Sequence, residues 1–572
     1  MVVAVLNCLV ICYGITVLFF NYFNCEPVVE INDGQIIGQV VKFQNFEVHQ
    51  YIGIPYAEPP VGELRFMPTV PLREFPSVFN AIKEPPACPQ YTERPFPWYD
   101  NSSERNENCL FMNIWTPSDS GPENKKAVMY WMFGSGFKYG SINVKFNIGT
   151  ALSALGDIIV VTVNYRLGPL GFMYSGTEDA PGNAGFWDVL EGLRWVNENI
   201  EHFGGDTSRI TIAGESAGSM FVGMLSASPL AKGLYSRQIM ESFSPTVLQM
   251  DSFRERNLDI SQKIAKTVNC ASDAFTLQDN PGAVVECLKS KNLYDFKLLH
   301  PTVQYCLGEI AKNEKSSTLT CLGEKKRPYS TRRQVIQLAE SGGKGIGVGM
   351  ENVRTDSKFS NVDSKSLSRA DFLVMPDTLA LYFPQHGDKI APVNPRIAIL
   401  NGNFRCTDTL IGVTEDEGST HVTVSNPKLF GFFGEKKPQI NKTKATDLMR
   451  KMFEDFPDPE SVIRHYLPDY VPEDAYDFIR YQIYTSFGDQ FFDCPQVYYA
   501  EKCAQKGYNV YYYVWRHRSS KTPWAPWMGV PHFDEVEFVF GLPLLYPSEY
   551  QTEEIQLSQK TIEIWSSFVK AG

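Results

Sequence analysis

Short apolar runs alternate with helical patterns along the middle of the chain. Residues 127–133 (AVMYWMF) and 158–163 (IIVVTV) are β-rich apolar runs, typical of strands buried on both faces. Residues 191–203 carry apolar side chains at helical spacing and stop at a Gly-Gly pair, after which residues 209–213 (RITIA) form another apolar run. Strands that alternate with helices predict a parallel sheet with crossover connections, and hence an α/β fold.

The remaining segments predict how the chain is organised. Residues 36–53 alternate between apolar and polar positions, as in an exposed antiparallel ribbon, and residues 508–515 predict a late strand. Residues 306–370 are rich in Lys, Arg, Ser and Gly, which predicts a solvated surface insertion. Residues 1–25 contain no charged side chain and favour a secretory signal peptide over an uncleaved signal anchor. We therefore expect one α/β domain over residues 26–572.

Composition narrows the class of protein. The 572 residues are 43% hydrophobic and 21% charged, which excludes wholesale disorder and collagen-like structure. The formal net charge is −12, from 53 basic and 65 acidic side chains. Nucleic-acid binders usually carry a basic stripe, so we expect no nucleic-acid partner. The acidic balance is compatible with a cationic ligand.

Cysteine usage and sequons indicate an oxidising compartment. Twelve cysteines suit a secreted protein, and the absence of a CxxC pair argues against a zinc site, so no metal is expected. Short separations favour three loops, although spacing alone leaves the connectivity open. These are Cys88–Cys109, Cys270–Cys287 and Cys306–Cys321. The sequons at Asn101 and Asn441 are candidate glycosylation sites and support export.

The candidate nucleophile is Ser216. Residues 214–218 (GESAG) match G-x-S-x-G directly after the apolar run at 209–213, and a helix-compatible stretch follows. A strand, a sharp turn and a helix are the setting that such a nucleophile requires. The N-terminus of that helix favours negative charge at the serine.

The other catalytic groups follow in the chain order expected for this arrangement. Glu417 lies where an apolar run breaks into an acidic loop, and His532 follows a late strand and a turn-rich loop, so Glu417 and His532 complete a candidate triad. An oxyanion needs converging backbone N–H groups. Ala217 supplies one, and the glycine-rich loop FGSGF at 133–137 supplies those of Ser135 and Gly136.

These motifs together resemble the type-B carboxylesterase family, and the cholinesterase group within it. The segments that carry the resemblance are 51–66 (YIGIPYAEPPVGELRF), 107–117 (ENCLFMNIWTP), 164–172 (NYRLGPLGF), 180–183 (APGN), 203–206 (FGGD), the turn at Ser216, the loops at Glu417 and His532, and 537–544 (EFVFGLPL). The resemblance implies the α/β-hydrolase fold, a large and mostly parallel sheet flanked by helices, with Ser216 as nucleophile, His532 as general base and acid, and Glu417 as the acid that orients His532. It implies no cofactor.

The resemblance also implies structural pairings. Cys88–Cys109 and Cys270–Cys287 match two family disulfides, and Arg65 and Glu107 match a family salt bridge. Cys494 matches the start of a third disulfide whose partner would lie beyond residue 572. We therefore expect the chain to lack the family's C-terminal segment, and the oligomeric state is left open.

Substrate choice depends on residues around the triad. By resemblance, Trp98 would hold a quaternary ammonium by cation–π contact, although a surface aromatic in a Pro-rich loop is the alternative. Glu215 would add negative charge, and Tyr91 and Glu93 match positions at the rim of the gorge. Several departures stand against an ordinary acetylcholinesterase. The family's aromatic position after Glu417 is Thr420, followed by His421, and Ser135 replaces the middle glycine of the oxyanion loop.

The sequence therefore predicts a secreted serine esterase that cleaves choline esters through an acyl-enzyme. Its partner would be a small, cationic ester, with membrane contact only if the N-terminal segment stays uncleaved. A carboxylesterase of broader specificity is the first alternative. A non-catalytic adhesion or ligand-sequestering homologue on the same fold is the second.

Overall fold

A ten-stranded sheet runs through the protein. The computed structural model describes residues 26–32, 34–90, 103–134, 136–247, 251–292, 335–338, 382–454, 456 and 458–572. The strands are β1 (Val28–Ile31), β2 (Gly34–Ile37), β3 (Gln39–Phe43), β4 (Phe46–Pro55), β5 (Val78–Asn80), β6 (Phe111–Pro117), β7 (Lys126–Met132), β8 (Ile159–Val163), β9 (Gly205–Glu215), β10 (Arg237–Glu241), β11 (Val335–Leu338), β12 (Asp408–Thr414) and β13 (Val510–Trp515).

Helices cover the sheet and extend to the end of the chain. The α-helices in the described residues are α1 (Thr150–Gly156), α2 (Gly168–Phe172), α3 (Ala184–Asn199), α4 (Ala217–Ala227), α5 (Asp251–Thr267), α6 (Pro281–Ser290), α7 (Pro395–Leu400), α8 (Glu417–Ser425), α9 (Pro427–Phe430), α10 (Lys442–Met452), α11 (Pro459–Tyr466), α12 (Tyr476–Gly488), α13 (Cys494–Gln505), α14 (Val536–Val539), α15 (Leu542–Leu545) and α16 (Thr552–Ala571). A π-helical turn, Asp489–Asp493, joins α12 to α13.

The order of the strands explains where catalytic side chains can gather. The large sheet has the order β11-β13-β12-β10-β9-β7-β8-β6-β4-β3, and β1, β2 and β5 form a small second sheet. From β8 to β11 along this order the pairs are parallel, whereas β8–β6, β6–β4 and β4–β3 are antiparallel. Parallel strands place their carboxyl ends at one edge, so the loops after β7, β9, β10 and β12 lie together.

The predicted elements are present, with shifted bounds. The predicted mostly parallel sheet flanked by helices is confirmed. β7 and β8 are buried at every residue, as the unbroken apolar runs indicated, and β3 and β4 form the antiparallel ribbon. β9 is longer than the run at 209–213, because it begins at Gly205 and pairs there with Lys126 of β7. Within the predicted insertion, β11 pairs in parallel with β13 at the edge of the sheet.

Disulfides and a buried ion pair fasten the loops. Cys88–Cys109 and Cys270–Cys287 are bonded as expected. A third bond, Cys406–Cys503, joins the segment before β12 to α13 and was not predicted. Cys494 is also disulfide-bonded within the chain, so the expectation of a partner beyond residue 572 was wrong.

The ion pair links two of the disulfide loops. Nε of Arg65 donates to Glu107 at 2.7 Å, next to Cys109, and both side chains are buried. The same guanidinium donates to the carbonyl oxygens of Lys289 (2.8 Å) and Lys291 (2.7 Å), just after Cys287. Arg65 therefore fixes the end of α6 against the first disulfide loop, the structural role predicted for it. In the part of the chain that is described, no helix is long and apolar enough to cross a bilayer.

Candidate active site

Ser216 occupies a strained turn between β9 and α4. Its φ is 52° and its ψ is −117°, a conformation that residues with a Cβ seldom adopt. The flanking glycines are required by space: a Cβ on Gly214 would lie 2.5 Å from the carbonyl carbon of Gly218, and one on Gly218 would collide with the carbonyl oxygen of Met132. A strained backbone of this kind persists only where the surrounding structure holds it in place. In such a turn the hydroxyl of Ser216 projects beyond the end of the strand.

The loop after β7 packs directly against this turn. A Cβ on Gly134 would collide with Oε2 of Glu215 and would lie 2.9 Å from Cβ of Ser216. Gly136 follows with a φ of 57°. On the other side Ala217 is the first residue of α4, and the first N–H groups of a helix have no partner within it. The structure therefore places the loop that contains Gly134 against Ser216 on one side and Ala217 at the helix start on the other, and Gly136 stays a predicted oxyanion donor.

His532 is buried and bound to Glu417. Its Nδ1 lies 2.6 Å from Oε2 of Glu417, and the second oxygen of that carboxylate accepts the backbone N–H of Thr414 at 2.8 Å. Because a carboxylate only accepts hydrogen bonds, the proton sits on Nδ1 of His532. Glu417 begins α8 just after β12 ends, so the sheet edge and the helix start together fix the acid that orients the imidazole.

The other ring nitrogen faces a second carboxylate. Nε2 of His532 lies 3.0 Å from Oε1 of Glu215, the residue before Ser216. Burial opposes a charge on His532, but Glu215 and Glu417 outweigh burial and raise the pKa of His532 well above its usual value. Burial also raises the pKa of Glu215. The two carboxylates therefore favour the imidazolium form of His532, which becomes a base only above its raised pKa.

This constellation of a strained serine turn, a carboxylate–histidine pair and a glycine loop agrees with the sequence comparison. The family model described as "Carboxylesterase family" matches residues 25–315 and 323–572. The chain belongs to the carboxylesterase family.

Two curated relatives from this family extend over nearly the whole chain. Acetylcholinesterase-1 from Trittame loki is 33% identical over 556 residues, which is 95% of this chain and 86% of that protein. Acetylcholinesterase from Bungarus fasciatus is 28% identical over 557 residues, which is 96% of this chain and 78% of that protein. The chain is therefore similar to acetylcholinesterases, with the α/β-hydrolase architecture of the family.

Aromatic rings surround the imidazole in this carboxylesterase-family site. The ring of His421 contacts the ring of His532 edge-on, with centroids 4.7 Å apart, and Phe492 lies 5.0 Å away on another side. His421 is four residues after Glu417 on α8, and its Nδ1 lies 3.3 Å from the carbonyl oxygen of Glu417. Burial and the neighbouring His532 lower the pKa of His421 well below its usual value, so His421 is neutral. These rings restrict how far His532 can rotate.

Sequence reasoning missed two further acids of the site. Glu241 and Glu535 are fully buried, Glu241 at the end of β10 and Glu535 three residues after His532. The signal for Glu241 was the repeated Glu-Ser pair, since Glu241-Ser242 ends β10 as Glu215-Ser216 ends β9. Nothing in the local sequence at Glu535 distinguishes it from a surface acid.

The structure brings Ser216, Glu215, Glu417, His532, Gly136 and Ala217 to the same edge of the sheet. Five predicted positions lie outside the described residues, so their placement remains a prediction: Ser135, Trp98, Tyr91, Glu93 and Asn101. The same holds for the leader at 1–25 and for Cys306–Cys321.

Two other residues named from the sequence are described. Thr420 is nine-tenths buried on α8. Asn441 caps the start of α10. Among the described residues, no group of three or more His, Cys, Asp or Glu is arranged to hold a metal ion.

Proposed function

We propose that this protein is a serine hydrolase of carboxylic esters and that choline esters are its preferred substrates. The observation that carries the proposal is the strained Glu215-Ser216 turn, which meets Nε2 of His532 through Glu215 at 3.0 Å, while Nδ1 of His532 is bound to Glu417 at 2.6 Å. That arrangement supplies a nucleophile, a base and an orienting acid in one place.

Acylation would use each group in turn. As Oγ of Ser216 attacks the ester carbonyl carbon, its proton passes to Nε2 of His532. The negative charge that forms on the carbonyl oxygen is met by the backbone N–H groups of Gly136 and Ala217, with Ser135 as a third donor. His532 then protonates the alcohol oxygen, the C–O bond breaks, and the acyl group remains on Ser216.

Deacylation would repeat the same proton transfers with water. His532 accepts a proton from water as the water oxygen attacks the acyl carbon, and it then returns the proton to Oγ of Ser216. Glu417 stabilises the imidazolium in both halves, because its carboxylate stays bound to Nδ1 throughout. The carboxylic acid and the alcohol are the products.

Two features support a cationic substrate. Two buried carboxyl groups, those of Glu215 and Glu417, contact the single imidazole of His532, so the site favours positive charge. The two acetylcholinesterase relatives bear names that specify a choline ester. Trp98 is our candidate for cation–π contact with the ammonium, with Tyr91 and Glu93 nearer the entrance.

We also propose that the protein acts outside the cell. Three disulfides in the described residues suit an oxidising compartment. At Asn441, Oδ1 accepts the N–H of Lys444 at 3.0 Å, which leaves Nδ2, the atom that carries an N-linked glycan, free of that cap. Asn101 is the second proposed glycan site.

A paired kinetic assay tests the proposal. Acetylthiocholine is compared with its neutral isostere, in which carbon replaces the quaternary nitrogen, and Ser216→Ala is the blank. We expect kcat/KM for the cation to exceed that for the isostere at least about tenfold, the ratio that a desolvated cation–π contact supports. Trp98→Ala should reduce that ratio and leave the rate with the isostere unchanged.

The other outcomes each identify an alternative. Equal rates for both esters above the Ser216→Ala blank would show a carboxylesterase of broad specificity. No rate above the blank, together with no covalent labelling of Ser216 by an organophosphate, would show a non-catalytic homologue that binds ligands on the same fold.

A further inference from the structure

A second Glu-Ser turn lies beside the nucleophile turn. Glu241 ends β10 and pairs in register with Glu215 of β9. The serines that follow have similar backbone conformations, with φ of 58° at Ser242 and 52° at Ser216. The backbone N–H of Ser216 donates to the carbonyl oxygen of Glu241 at 2.8 Å. The main chain of Glu241 therefore holds the nucleophile, and its side chain enters the interior next to the triad.

In the carboxyl groups of Glu241 and Glu535, one oxygen accepts hydrogen bonds from described residues and the other does not. Nε1 of Trp565, on α16, donates to Oε1 of Glu241 at 2.8 Å. The hydroxyls of Ser242 (3.1 Å) and Tyr513 (3.3 Å) donate to Oε1 of Glu535. In both acids Oε2 is buried and has no hydrogen-bond partner among the described residues. The ring of Tyr513, which binds Glu535, packs 5.1 Å from the ring of Trp565, which binds Glu241, so the two carboxyl groups are neighbours.

Charge in this region is strongly unbalanced. If all four buried acids ionised, the carboxylates of Glu215, Glu241, Glu417 and Glu535 would face the single imidazolium of His532. Burial, followed by repulsion from Glu535, raises the pKa of Glu241 well above its usual value. Burial, followed by repulsion from Glu417 and Glu215, raises the pKa of Glu535. Burial likewise keeps the neighbouring phenol of Tyr513 neutral by raising its pKa.

We propose that Glu241 and Glu535 share one proton between their unpartnered Oε2 atoms, and that Glu241 is thereby a positioning residue for the triad. The O–H of one carboxyl group donates to Oε2 of the other, which satisfies both orphaned oxygens with a single proton. With the proton on Glu535, the remaining negative charge of the pair lies on Glu241, and the carboxylates that interact with His532 are two rather than three. The kinetic part of this inference rests on the proposed esterase function.

The variant Glu241→Gln separates this role from simple packing. Glutamine has the same shape, and its amide oxygen can still accept from Nε1 of Trp565. Its amide N–H donates to Oε2 of Glu535 but lends no proton, so Glu535 becomes a carboxylate. The single negative charge of the pair thereby moves from Glu241 to Glu535, the member that interacts with His532, and it raises the pKa of that histidine further. A base that stays protonated to higher pH is available only at higher pH.

The first experiment is the pH dependence of kcat/KM for a neutral ester, 4-nitrophenyl acetate. We expect the acid limb of Glu241→Gln to move to higher pH by about one unit. The double variant Glu241→Gln/Glu535→Gln should return the limb to its wild-type position, because an amide side chain in place of Glu535 cannot ionise. The matched control is Glu191→Gln, which alters another buried glutamate, on α3, whose pKa burial also raises. It should leave the profile unchanged. An unshifted limb in Glu241→Gln, or a shift that persists in the double variant, would overturn the proposal.

The second experiment does not depend on ester hydrolysis. Infrared spectroscopy of the full chain at neutral pH detects the C=O stretch of a buried, protonated carboxyl group. We expect the intensity of that band to fall in both Glu241→Gln and Glu535→Gln relative to the wild type, with circular dichroism confirming that each variant is folded. Another buried acid, Asp534, whose pKa burial raises, contributes to all three spectra. A band of unchanged intensity in Glu241→Gln refutes the shared proton, whatever the enzyme activity. A band that behaves as expected in a protein without esterase activity refutes the proposed function and leaves the carboxyl pair standing.

Discussion

At the scale of single residues, the two nitrogens of His532 set how the reaction depends on pH. Both face carboxylates, Glu417 at 2.6 Å and Glu215 at 3.0 Å, and together these outweigh burial and raise the pKa of His532. A general base must be unprotonated, so kcat/KM is low below this raised pKa and increases as the pH rises through it. The acid limb therefore lies on the alkaline side of an ordinary histidine, whose pKa is about 6.5.

Replacing Glu215 should move that limb in the opposite direction to Glu241→Gln. In Glu215→Gln the carboxylate at Nε2 becomes a neutral amide, so the pKa of His532 falls and the acid limb shifts to lower pH by roughly one to three units. The measurement is the pH profile of kcat/KM with a neutral ester, with Glu191→Gln as the control. A limb that stays in place would mean that Glu215 does not hold the proton of His532.

The candidate triad could be named from the sequence, but the electrostatics around it could not. Ser216 was identifiable because the glycines of its turn are dictated by space, and chain order then singled out Glu417 and His532. The partner of Nε2 depends on where two side chains meet across the sheet edge. The sequence did not reveal Glu241 and Glu535 either, because only the folded sheet shows that both are buried beside the candidate triad.

At the scale of secondary-structure elements, α4 packs unusually close to β7. A Cβ on Gly218 would collide with the carbonyl oxygen of Met132 and would lie 2.7 Å from its carbonyl carbon. Glycine inside a helix is unfavourable by roughly 1 kcal/mol relative to alanine, so helix propensity alone favours alanine at this position. Close approach of the helix to the strand therefore accounts for the glycine.

The direction in which Gly218→Ala changes thermal stability shows whether packing or helix propensity dominates at this position. Gly218→Ala should lower the melting temperature and reduce kcat at least about a hundredfold, because the helix start must shift and with it the donor of Ala217. Gly121→Ala is the control, since a Cβ there meets nothing within 4 Å. The readouts are thermal unfolding and kcat. A more stable and fully active Gly218→Ala would show that propensity outweighs packing at this position.

The elements themselves were largely predictable, whereas their ends were not. Unbroken apolar runs identified β7 and β8 because both faces of a central strand are buried. The start of β9 at Gly205 was missed because the Gly-Gly pair was interpreted only as the end of a helix. The strand begins there because Gly205 pairs with Lys126 of β7. β11 was missed because it is a short segment within a polar insertion, and it is a strand only through its pairing with β13.

At the scale of the whole molecule, Cys406–Cys503 closes the largest loop of the three described disulfides. It spans 97 residues of sequence, compared with 17 for Cys270–Cys287 and 21 for Cys88–Cys109. Both of its cysteines are buried, and Nε2 of Gln238, on β10, lies 3.7 Å from each sulfur. The bond therefore joins α13 to the strands on which Glu241 and Glu417 depend.

Loop length predicts the relative importance of these bonds. Loop-closure entropy assigns about 4.7 kcal/mol of unfolding free energy to the 97-residue loop and about 3 kcal/mol to the 17-residue loop. The double variant Cys406→Ala/Cys503→Ala should therefore unfold at lower urea concentration than Cys270→Ala/Cys287→Ala. Urea unfolding followed by fluorescence measures both midpoints. The reverse order would show that the shorter loop is the more important one for stability.

The architecture was predictable at this scale, but the arrangement of its parts was not. Alternating strands and helices predicted a parallel sheet, and right-handed crossovers limit the possible topologies. The placement of β8 between β7 and β6, and the pairing of Cys406 with Cys503, depend on which distant segments come together. Spacing favoured short loops for the cysteines, which is why a bond across 97 residues was missed.

The excess of carboxylates around His532 also bears on product release. In the proposed reaction, the acid product loses its proton after ester cleavage and becomes an anion next to Glu215 and Glu417. In the part of the site that is described, those two carboxylates face the single imidazole of His532, so the anion is repelled toward solvent. A cationic alcohol experiences the opposite force. Electrostatic repulsion would thus clear the acid quickly and make it a weak product inhibitor, whereas the alcohol would be the stronger one.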